Sequence, residues 1–471
     1  MATHPLHPIG LKSQAANFQA LPPLSLYIHI PWCVRKCPYC DFNSHEIKET
    51  PSPLKGEGRV TNDLAVVVGQ PSQMASSSIR AGEIEQQYVA ALARDLEMAL
   101  PLIWGRKVYT VFFGGGTPSL LSGESVAEIM RNVRLLLPLD INAEITLEAN
   151  PGTVEAARFA AYREAGVNRL SLGIQSFNDA HLQALGRIHS ADEARAAIKV
   201  AQQHFDNINL DLMYGLPDQT LDEALQDVQA ALSFAPQHLS CYHLTLEPNT
   251  LFHSHPPSLP DDDASCDMQQ HIEELLAAQG YQHYETSAFA HCPLPMPSPQ
   301  SSPASGRGSE RENQSSILAG EGDKVPLRGL HNSRRSKHNL NYWQFGDYLG
   351  IGAGAHSKLS FHDKIMRQVR YKQPQAYMQQ VALGAPMQDE HEVGRDALGF
   401  EFMMNALRLN EGFDSALFQE RTSLPLLIIQ RELADAEKRG LLCKDHLHIA
   451  PTKLGQRFLN DLLQIFLAAK D

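Results

Sequence analysis

The chain has 471 residues, a formal net charge of −13 at pH 7 and seven cysteines. This length is sufficient for about two to three domains with sizeable cores, and the acidic balance argues against nucleic acid as the main partner. No apolar run reaches the roughly 18 residues of a membrane-spanning helix, and the N-terminus lacks the basic-then-apolar layout of a signal peptide. With four of the cysteines scattered along the chain, these features predict a soluble cytoplasmic protein.

Short β-rich runs alternate with helical patterns from residue 25 to about residue 250. The predicted strands are Ser25–Ile30, Lys107–Phe113, Ala143–Ala149, Arg169–Ile174, Asn207–Met213 and Leu239–Leu246. Amphipathic stretches between them predict helices at Ile84–Leu100, Ser125–Leu137, Ala191–Phe205 and Leu221–Phe234. Nearly continuous apolar strands separated by helices indicate parallel βαβ units. Six such units predict an α/β fold, a partial (β/α)6 barrel, with function on the loops that follow the strands.

The loop after the first predicted strand carries three cysteines within eight residues, Cys33-Val-Arg-Lys-Cys37-Pro-Tyr-Cys40. Three thiolates at this spacing can hold three corners of a cubane iron–sulfur cluster, because soft sulfur ligands suit iron. The spacing, with Tyr39 before the last cysteine, resembles the signature of radical SAM proteins, in which the open fourth iron chelates S-adenosylmethionine (SAM). Two weaker alternatives remain. A zinc site would need a fourth ligand at suitable spacing, and a redox motif needs only two of the thiols.

Glycine and polar residues stand at the ends of the later predicted strands. The run Gly114-Gly115-Gly116-Thr117 follows the second strand, and backbone without Cβ atoms can approach a charged ligand closely. Glu148 closes the third strand and suits a ribose or an ammonium group, while Gln175, Arg187 and Asp211 lie at or just beyond later strand ends. Each alone is more often a solvated loop residue or part of a local ion pair. Their joint placement on one rim predicts a binding site.

From residue 24 onward, apart from two inserts, the sequence resembles the radical SAM family of oxygen-independent coproporphyrinogen III dehydrogenases and the related HemW haem chaperones. The motifs that carry the resemblance are Tyr-Ile-His-Ile-Pro-Trp-Cys (27–33), Phe-Gly-Gly-Gly-Thr-Pro (113–118), Leu-Glu-Ala-Asn-Pro (147–151), Ser-Leu-Gly-Ile-Gln-Ser-Phe (171–177), Asp-Leu-Met-Tyr-Gly-Leu-Pro (211–217), Leu-Glu-Pro-Asn-Thr (246–250) and Tyr-Leu-Gly-Ile-Gly-Ala-Gly-Ala-His (348–356). The resemblance implies that Cys33, Cys37 and Cys40 bind a [4Fe–4S] cluster. It also implies a set of SAM contacts, namely Tyr27, Tyr39, Gly115, Gly116, Thr117, Glu148, Gln175, Arg187 and Asp211.

Two departures distinguish the branches of this family. The dehydrogenases carry a further cysteine two places after the third cluster ligand, where this chain has Phe42. They also carry a longer segment before the first strand, whereas 24 residues precede it here. Both points favour a haem chaperone that delivers haem to apoproteins. The expected acceptors are membrane-associated respiratory enzymes, and a homodimer is one option for the oligomeric state. The alternative is a coproporphyrinogen III dehydrogenase, so enzymatic activity and catalytic residues stay open.

The segment His338-Asn339-Leu340-Asn341-Tyr342-Trp343 matches a His-Asn-x-x-Tyr-Trp element that the resemblance associates with haem binding. Imidazole is a common axial ligand of haem iron, and aromatic rings pack on the porphyrin face. His338 is therefore the leading candidate for the haem ligand, followed by His29 and His356. The alternative is a polar strand edge, with the two rings buried and the imidazole hydrogen-bonded.

Composition and pattern divide the chain into four parts. They are an N-terminal segment (1–24), the partial barrel (25–250), a barrel extension with the haem motif (251–370) and a small C-terminal domain (371–471). Segments at about 47–80 and 292–335 show no helical or strand period and are predicted to be disordered inserts. The last part predicts a helix at Leu424–Arg439, a hairpin at Leu441–Ala450 and a helix at Thr452–Ala469. This order is typical of a winged-helix-like unit, for which the acidic balance favours a packing or lid role over DNA binding.

Overall fold

The computed structural model describes residues 17–47, 71–153, 156–292 and 334–467. Most of both predicted inserts therefore lies outside the described residues. The end of the first insert is helical, because a helix begins at Pro71, and this corrects the prediction of no regular structure as far as residue 80. Proline is favourable at a first helical position, where its missing N–H is not needed and its φ already suits the helix.

Seventeen strands are present in the described residues. They are β1 (Leu24–Ile30), β2 (Trp32–Cys33), β3 (His45–Glu46), β4 (Val108–Gly115), β5 (Leu139–Ala149), β6 (Arg169–Gln175), β7 (Ile208–Tyr214), β8 (His238–His243), β9 (Tyr281–Glu285), β10 (Ala288–His291), β11 (Asp347–Ile351), β12 (His356–Ser360), β13 (Ile365–Arg370), β14 (Met387–Glu392), β15 (Phe413–Asp414), β16 (Leu442–Lys444) and β17 (His448–Pro451). Twelve of them form one sheet in the order β14-β13-β12-β11-β1-β4-β5-β6-β7-β8-β10-β9.

Helices connect and cover these strands. In the described ranges they are α1 (Pro71–Ala99), α2 (Gly123–Leu136), α3 (Ala156–Ala165), α4 (Asp179–Ala184), α5 (Ala191–His204), α6 (Leu221–Leu232), α7 (Leu251–Ser254), α8 (Asp262–Ala278), α9 (Lys337–Trp343), α10 (Pro374–Ala382), α11 (Arg395–Ala406), α12 (Ser415–Thr422), α13 (Gln430–Lys438), α14 (Lys453–Arg457) and α15 (Leu459–Gln464). Local sequence sets several of their starts. The pairs Ser190/Glu193 and Thr220/Glu223 form capping boxes that satisfy backbone N–H groups at the starts of α5 and α6.

The predicted partial barrel is confirmed. Strands β1, β4, β5, β6, β7 and β8 are neighbours in that order and all pair in parallel. The predicted bounds are close to the observed ones, although β8 ends at His243, before the predicted Leu246. Parallel strands leave their carboxyl ends on one edge, so the loops after them converge there. No helix among the described residues has the length and apolar content to cross a membrane.

The two faces of the barrel sheet differ in chemistry. Apolar side chains such as Leu26 and Ile28 belong to the main core, which the surrounding helices complete. Alternate positions on the same strands carry Ser25, Thr110 and Asn209, which form hydrogen bonds inside the barrel. This alternation follows from the two-residue period of a strand. The inner face is therefore polar and able to receive a polar ligand or another segment of the chain.

A second core lies in the C-terminal part, where β15, β17 and β16 form a small sheet. The predicted helix at 424–439 begins only at Gln430, after a 3-10 turn at Leu426–Ile429, and Pro425 disfavours helical backbone at Leu424. The predicted closing helix is divided into α14 and α15 at Phe458. Because β14 still pairs with β13 in the large sheet, we propose that the domain boundary falls near residue 393 rather than at 371.

Candidate functional site

The cysteine loop follows β1 and joins the two short parallel strands β2 and β3. Cys33 lies in β2, and Cys37 and Cys40 follow in the turn, where the Cys40 N–H donates to the Cys37 carbonyl at 3.2 Å. All three thiols are free and half-buried. The loop therefore presents three sulfur atoms at the rim where the parallel strands end.

Two later segments place hydrogen-bond donors beside these sulfur atoms. The Thr117 hydroxyl donates to Cys33 Sγ at 3.4 Å, and Arg187 Nη1 donates to Cys37 Sγ at 3.7 Å. Burial raises the pKa of Cys33, and the hydroxyl of Thr117 acts in the opposite direction. Donors at sulfur stabilise the thiolate form that a metal cluster needs. The donor set of this loop therefore fits an iron–sulfur cluster.

Asn43 anchors the far side of the cysteine loop, and no pattern in the sequence predicts this role. Its side-chain amide donates to the carbonyls of Ala353 and Lys372, both at 2.9 Å. Its own carbonyl lies 2.9 Å from Nε2 of the buried His29. Since Ala353 and Lys372 are more than 300 residues away in the chain, only the folded structure brings these partners together.

The glycine run after β4 packs directly against the cysteine loop. The Gly116 and Thr117 N–H groups donate to the carbonyls of Ile30 and Trp32, each at 2.7 Å. A Cβ atom added at Gly116 would lie 2.5 Å from the Trp32 carbonyl oxygen, and Gly115 has a φ of +114°. Glycine is required at Gly116 because its backbone touches that of Trp32, and at Gly115 because its φ is positive.

Two carboxyl groups face the interior just below this rim. Burial raises the pKa of Glu148 to about 8, and the nearby Asp211 contributes in the same direction. Burial also raises the pKa of Asp211, whereas hydrogen bonds from Ser171 and Asn209, each 2.8 Å long, oppose that rise. A cationic ligand beside this pair would favour its ionised forms. The pair suits an ammonium or sulfonium group.

Gln175 and Arg187 meet over Gly173 on the next strand. Arg187 Nη2 donates to the Gly173 carbonyl at 2.9 Å, and a Cβ atom at Gly173 would lie 3.0 Å from Gln175 Nε2 and 3.4 Å from Arg187 Nη2. Gln175 has a φ of +67°, which is uncommon for a residue with a side chain, and the β6–β7 register shifts beside it. Non-glycine residues in this conformation are often found at functional sites.

The two predicted tyrosines take different positions. Tyr27 points into the barrel, with its hydroxyl 3.1 Å from His29 Nδ1, and burial raises its pKa. Tyr39 packs against Phe252, with ring centroids 6.4 Å apart. Eight of the nine predicted SAM contacts thus lie on the cysteine loop or on or just after β1, β4, β5, β6 and β7, although Asp211 lies within β7 rather than at its end. Arg187 lies instead in the loop after α4.

His338 lies deeper in the barrel than the strand ends, where it contacts Thr110 and Phe112 of β4 and Glu144 of β5. Its ring stacks on Phe112 with centroids 4.8 Å apart, and its backbone N–H donates to Glu144 at 3.2 Å. The segment that carries it is the helix α9, so the strand in the alternative reading is wrong, whereas its hydrogen-bonded imidazole is confirmed. Burial lowers the pKa of His338 to about 3. The imidazole is therefore neutral and enclosed.

Both ring nitrogens of His338 have partners. Nδ1 lies 2.7 Å from the Thr110 hydroxyl, which itself donates to Ser25, so we infer that Nδ1 carries the proton and donates to Thr110. Nε2 then accepts from the Tyr342 hydroxyl at 3.1 Å. An iron atom would bind through the lone pair of this Nε2, so the hydrogen bond from the Tyr342 hydroxyl would have to break first.

Sequence reasoning also missed a buried polar chain that links β7, β8, β9 and the start of α9. His238 lies 2.6 Å from Asn209 Oδ1 through Nδ1 and 2.8 Å from the Tyr284 hydroxyl through Nε2. Tyr284 in turn accepts the Ser336 N–H at 3.1 Å, and Ser336 is the N-cap of α9. Asn209 lies between apolar residues of a predicted strand, which was the available signal, whereas His238 and Tyr284 lie outside the predicted strands.

A partial parallel barrel with a three-cysteine loop after its first strand is the architecture of radical SAM proteins. The Radical SAM superfamily profile matches residues 27–231, and the HemN C-terminal domain profile matches residues 394–458. Heme chaperone HemW of Escherichia coli is 44% identical over 95% of this chain and 99% of its own, and HemW of Haemophilus influenzae is 41% identical over 95% and 98%. The chain belongs to the HemW family.

One solved structure shares the fold over most of the chain. The coproporphyrinogen III oxidase HemN from Escherichia coli superposes with a TM-score of 0.67 and covers 95% of this chain and 90% of its own. Its sequence identity is 22%, so this similarity concerns the fold.

Proposed function

We propose that this protein is a haem chaperone, which binds haem and delivers it to apoproteins, and that it uses a [4Fe–4S] cluster and SAM. The observation that carries the proposal is the 44% identity to the heme chaperone HemW of Escherichia coli over nearly the full length of both chains. Phe42, at the position where the dehydrogenases are expected to have a further cysteine, supports the same choice. Respiratory haem enzymes are the proposed acceptors, and a homodimer is the proposed assembly.

Cys33, Cys37 and Cys40 are the proposed cluster ligands. A [4Fe–4S] cluster with one open iron would supply a chelation site for SAM and a source of single electrons. The chain itself positions the thiols through Asn43 and orients hydrogen-bond donors toward Cys33 and Cys37. These donors also partly offset the negative charge of the thiolates.

SAM is proposed to lie along the rim formed by the glycine run, Glu148, Gln175, Arg187 and Asp211. The glycine backbone admits a close approach, and the two carboxyl groups suit the cationic parts of the ligand. The guanidinium of Arg187 lies beside Gly173 and the cysteine loop, where it can meet a carboxylate. Tyr27, Tyr39 and Thr117 complete the proposed contacts.

His338 is the proposed axial ligand of haem, but in this structure its Nε2 is not open to an iron atom. Since its Nε2 accepts from Tyr342 and the ring is enclosed by the barrel, ligation requires α9 to move or Tyr342 to turn away. Neutral imidazole at physiological pH, which the lowered pKa ensures, is the form that binds iron.

The test uses full-length protein reconstituted without oxygen, with two assays in parallel. We expect haem binding and transfer to an apoprotein, and no conversion of coproporphyrinogen III in the presence of SAM and a reductant. Replacing Cys33, Cys37 and Cys40 by Ser should abolish iron content and the brown absorbance of the cluster. Robust porphyrinogen turnover without haem transfer would assign the chain to the dehydrogenases instead.

A further inference from the structure

A cavity of about 210 Å³ lies where α9 meets strands β11–β13 and helix α11. Its walls include Tyr342, Trp343, Tyr348, Lys358, Arg367 and Asn405. Pockets for drug-sized ligands measure about 300–1,000 Å³. The cavity therefore has room for the edge of a large planar ligand or for a small anion.

Aromatic rings form one side of this cavity. Tyr342 and Tyr348 meet edge to face, with ring centroids 4.5 Å apart. Trp343 is held by Arg408, whose guanidinium lies 5.0 Å from the indole centroid. All three rings are half-buried, so part of each remains open to a ligand. Such walls suit a flat apolar group.

The other side of the cavity is cationic. Lys358 Nζ lies 2.9 Å from Asp347 Oδ1, and the same carboxylate also pairs with Arg106 at 2.8 Å. Arg367 pairs with Glu401 at 2.7 Å. These ion pairs join three cations to two carboxylates. One positive charge is therefore left over in this group, which favours an anion at the adjoining cavity.

Arg367 is the cation best placed to receive that anion. Its guanidinium donates to the Tyr348 hydroxyl at 2.6 Å and to Glu401 at 2.7 Å, and its side chain is 21% exposed. A planar guanidinium can bind a carboxylate through two parallel hydrogen bonds. An incoming carboxylate would compete with Glu401 for it, while Lys358 is fully enclosed by Asp347 and backbone carbonyls.

We propose that this cavity is a carboxylate subsite for haem, in which Arg367 binds a propionate group and the porphyrin edge lies against Trp343 and Tyr348. The inference rests on the proposed haem-binding function and adds the residues that recognise the cargo. The helix α9 then has two roles: it directs His338 into the barrel and presents Trp343 to the outer cavity. The Tyr342 ring separates this cavity from His338 Nε2, so haem bound here reaches the imidazole only after Tyr342 turns away or α9 moves.

The test compares haem with its dimethyl ester, in which both propionates are esterified, on three full-length proteins. Wild-type protein should bind haem more tightly than the ester. Arg367→Gln should weaken haem binding by roughly 10- to 100-fold, the range for a lost hydrogen bond to a charged group, and leave ester binding unchanged. Glu401→Gln breaks the same ion pair but frees Arg367, so its affinity for haem should equal or exceed that of wild type.

Three outcomes would overturn the subsite. They are equal losses of haem affinity in Arg367→Gln and Glu401→Gln, an equal loss for the ester in Arg367→Gln, and equal affinities of wild type for haem and ester. Thermal unfolding of both variants identifies a loss caused by misfolding. If wild type binds neither ligand, the proposed function itself fails, and the subsite fails with it.

Discussion

Burial controls the charge of several side chains near the candidate site. Glu148 has a pKa raised to about 8 chiefly by burial, and His338 has a pKa lowered to about 3 for the same reason. In both cases the neutral form is favoured near pH 7, because low-dielectric surroundings disfavour charge. At the residue scale, the interior of the barrel is thus polar but carries less charge than its composition indicates.

Glu148→Gln should make the ligand-free protein less sensitive to alkaline pH. The folded-state pKa of Glu148 is raised above its usual 4.5, so its contribution to stability is present below pH 4.5 and is lost as pH rises through about 8. Near pH 8 the variant should therefore unfold at a higher temperature than wild type, by about 2–4 °C per kcal/mol. Calorimetry at pH 5 and pH 8 measures this. A lower unfolding temperature of the variant at both pH values would contradict it.

Thr117→Val should lower the reduction potential of the proposed cluster. The variant removes the hydroxyl that donates to Cys33 Sγ, and a hydrogen bond to sulfur favours the reduced, more negative cluster. The expected change is about 20–60 mV, the one-electron equivalent of an ordinary hydrogen bond. Redox titration followed by electron paramagnetic resonance gives the value. Thr117→Ser keeps the hydroxyl and is the matched control, which should retain the wild-type potential.

Among the secondary-structure elements, α9 lies between the barrel interior and the C-terminal part. It contacts β1, β4, β11 and α11. Asn341 fixes its position, since the side-chain amide donates to Ser25 and to the Asp347 carbonyl, each at 2.8 Å. The helix thus serves as a structural element as well as the carrier of the haem motif.

His338→Gln should reduce the loss of stability in acid. The folded-state pKa of His338, about 3, is below the usual 6.5, so its stabilising contribution is present above pH 6.5 and is lost as pH falls toward 3. At neutral pH the variant should be less stable by about 1–3 kcal/mol, because buried partners such as Thr110 lose optimal hydrogen bonds. Urea unfolding at pH 7 and pH 4.5 tests this. A stability difference that stays constant between the two pH values would show that His338 titrates normally.

At the scale of the whole molecule, distant parts of the chain are joined through buried contacts. Arg370 at the end of β13 pairs with Asp95 of α1 at 3.3 Å, and both side chains have no exposed surface. Asp95 also accepts from the Tyr377 hydroxyl of α10 at 2.9 Å. Phe18, ahead of β1, belongs to the second core and donates its N–H to the His362 carbonyl at 3.0 Å. The end of the sheet formed by β12, β13 and β14 is therefore tied to α1 and to the segment ahead of β1.

Asp95→Ala should destabilise the whole protein by about 3–5 kcal/mol, because it leaves the Arg370 charge buried without its carboxylate. Glu97→Ala, on the same helix, removes an exposed ion pair with Arg94 and should cost no more than about 0.5 kcal/mol beyond helix propensity. Chemical unfolding of both variants gives the comparison. Similar small losses would mean that the buried pair contributes no more than the exposed one.

The partial barrel and the cysteine loop could be predicted from the sequence, as could the strand-end positions of Gly115, Glu148 and Gln175, whereas Asp211 lies within β7 and Arg187 follows α4. These features depend on local patterns, since strand and helix periods, capping residues and the spacing of Cys33, Cys37 and Cys40 are all readable within short windows. The candidate site could then be assigned to one rim of the barrel, because parallel strands place their carboxyl ends together. The start of α1 at Pro71 was missed because that segment lacks an amphipathic period.

Which distant groups meet could not be predicted from the sequence. Asn43 reaches Ala353, His338 enters the barrel beside Thr110, and Arg367 of β13 lies between Tyr348 of β11 and Glu401 of α11. Each contact joins residues from different elements, and its burial and hydrogen bonding depend on packing that no local pattern encodes. The charge states of Glu148 and His338 were likewise set by that packing, because desolvation shifts a pKa only once the chain is folded around the group.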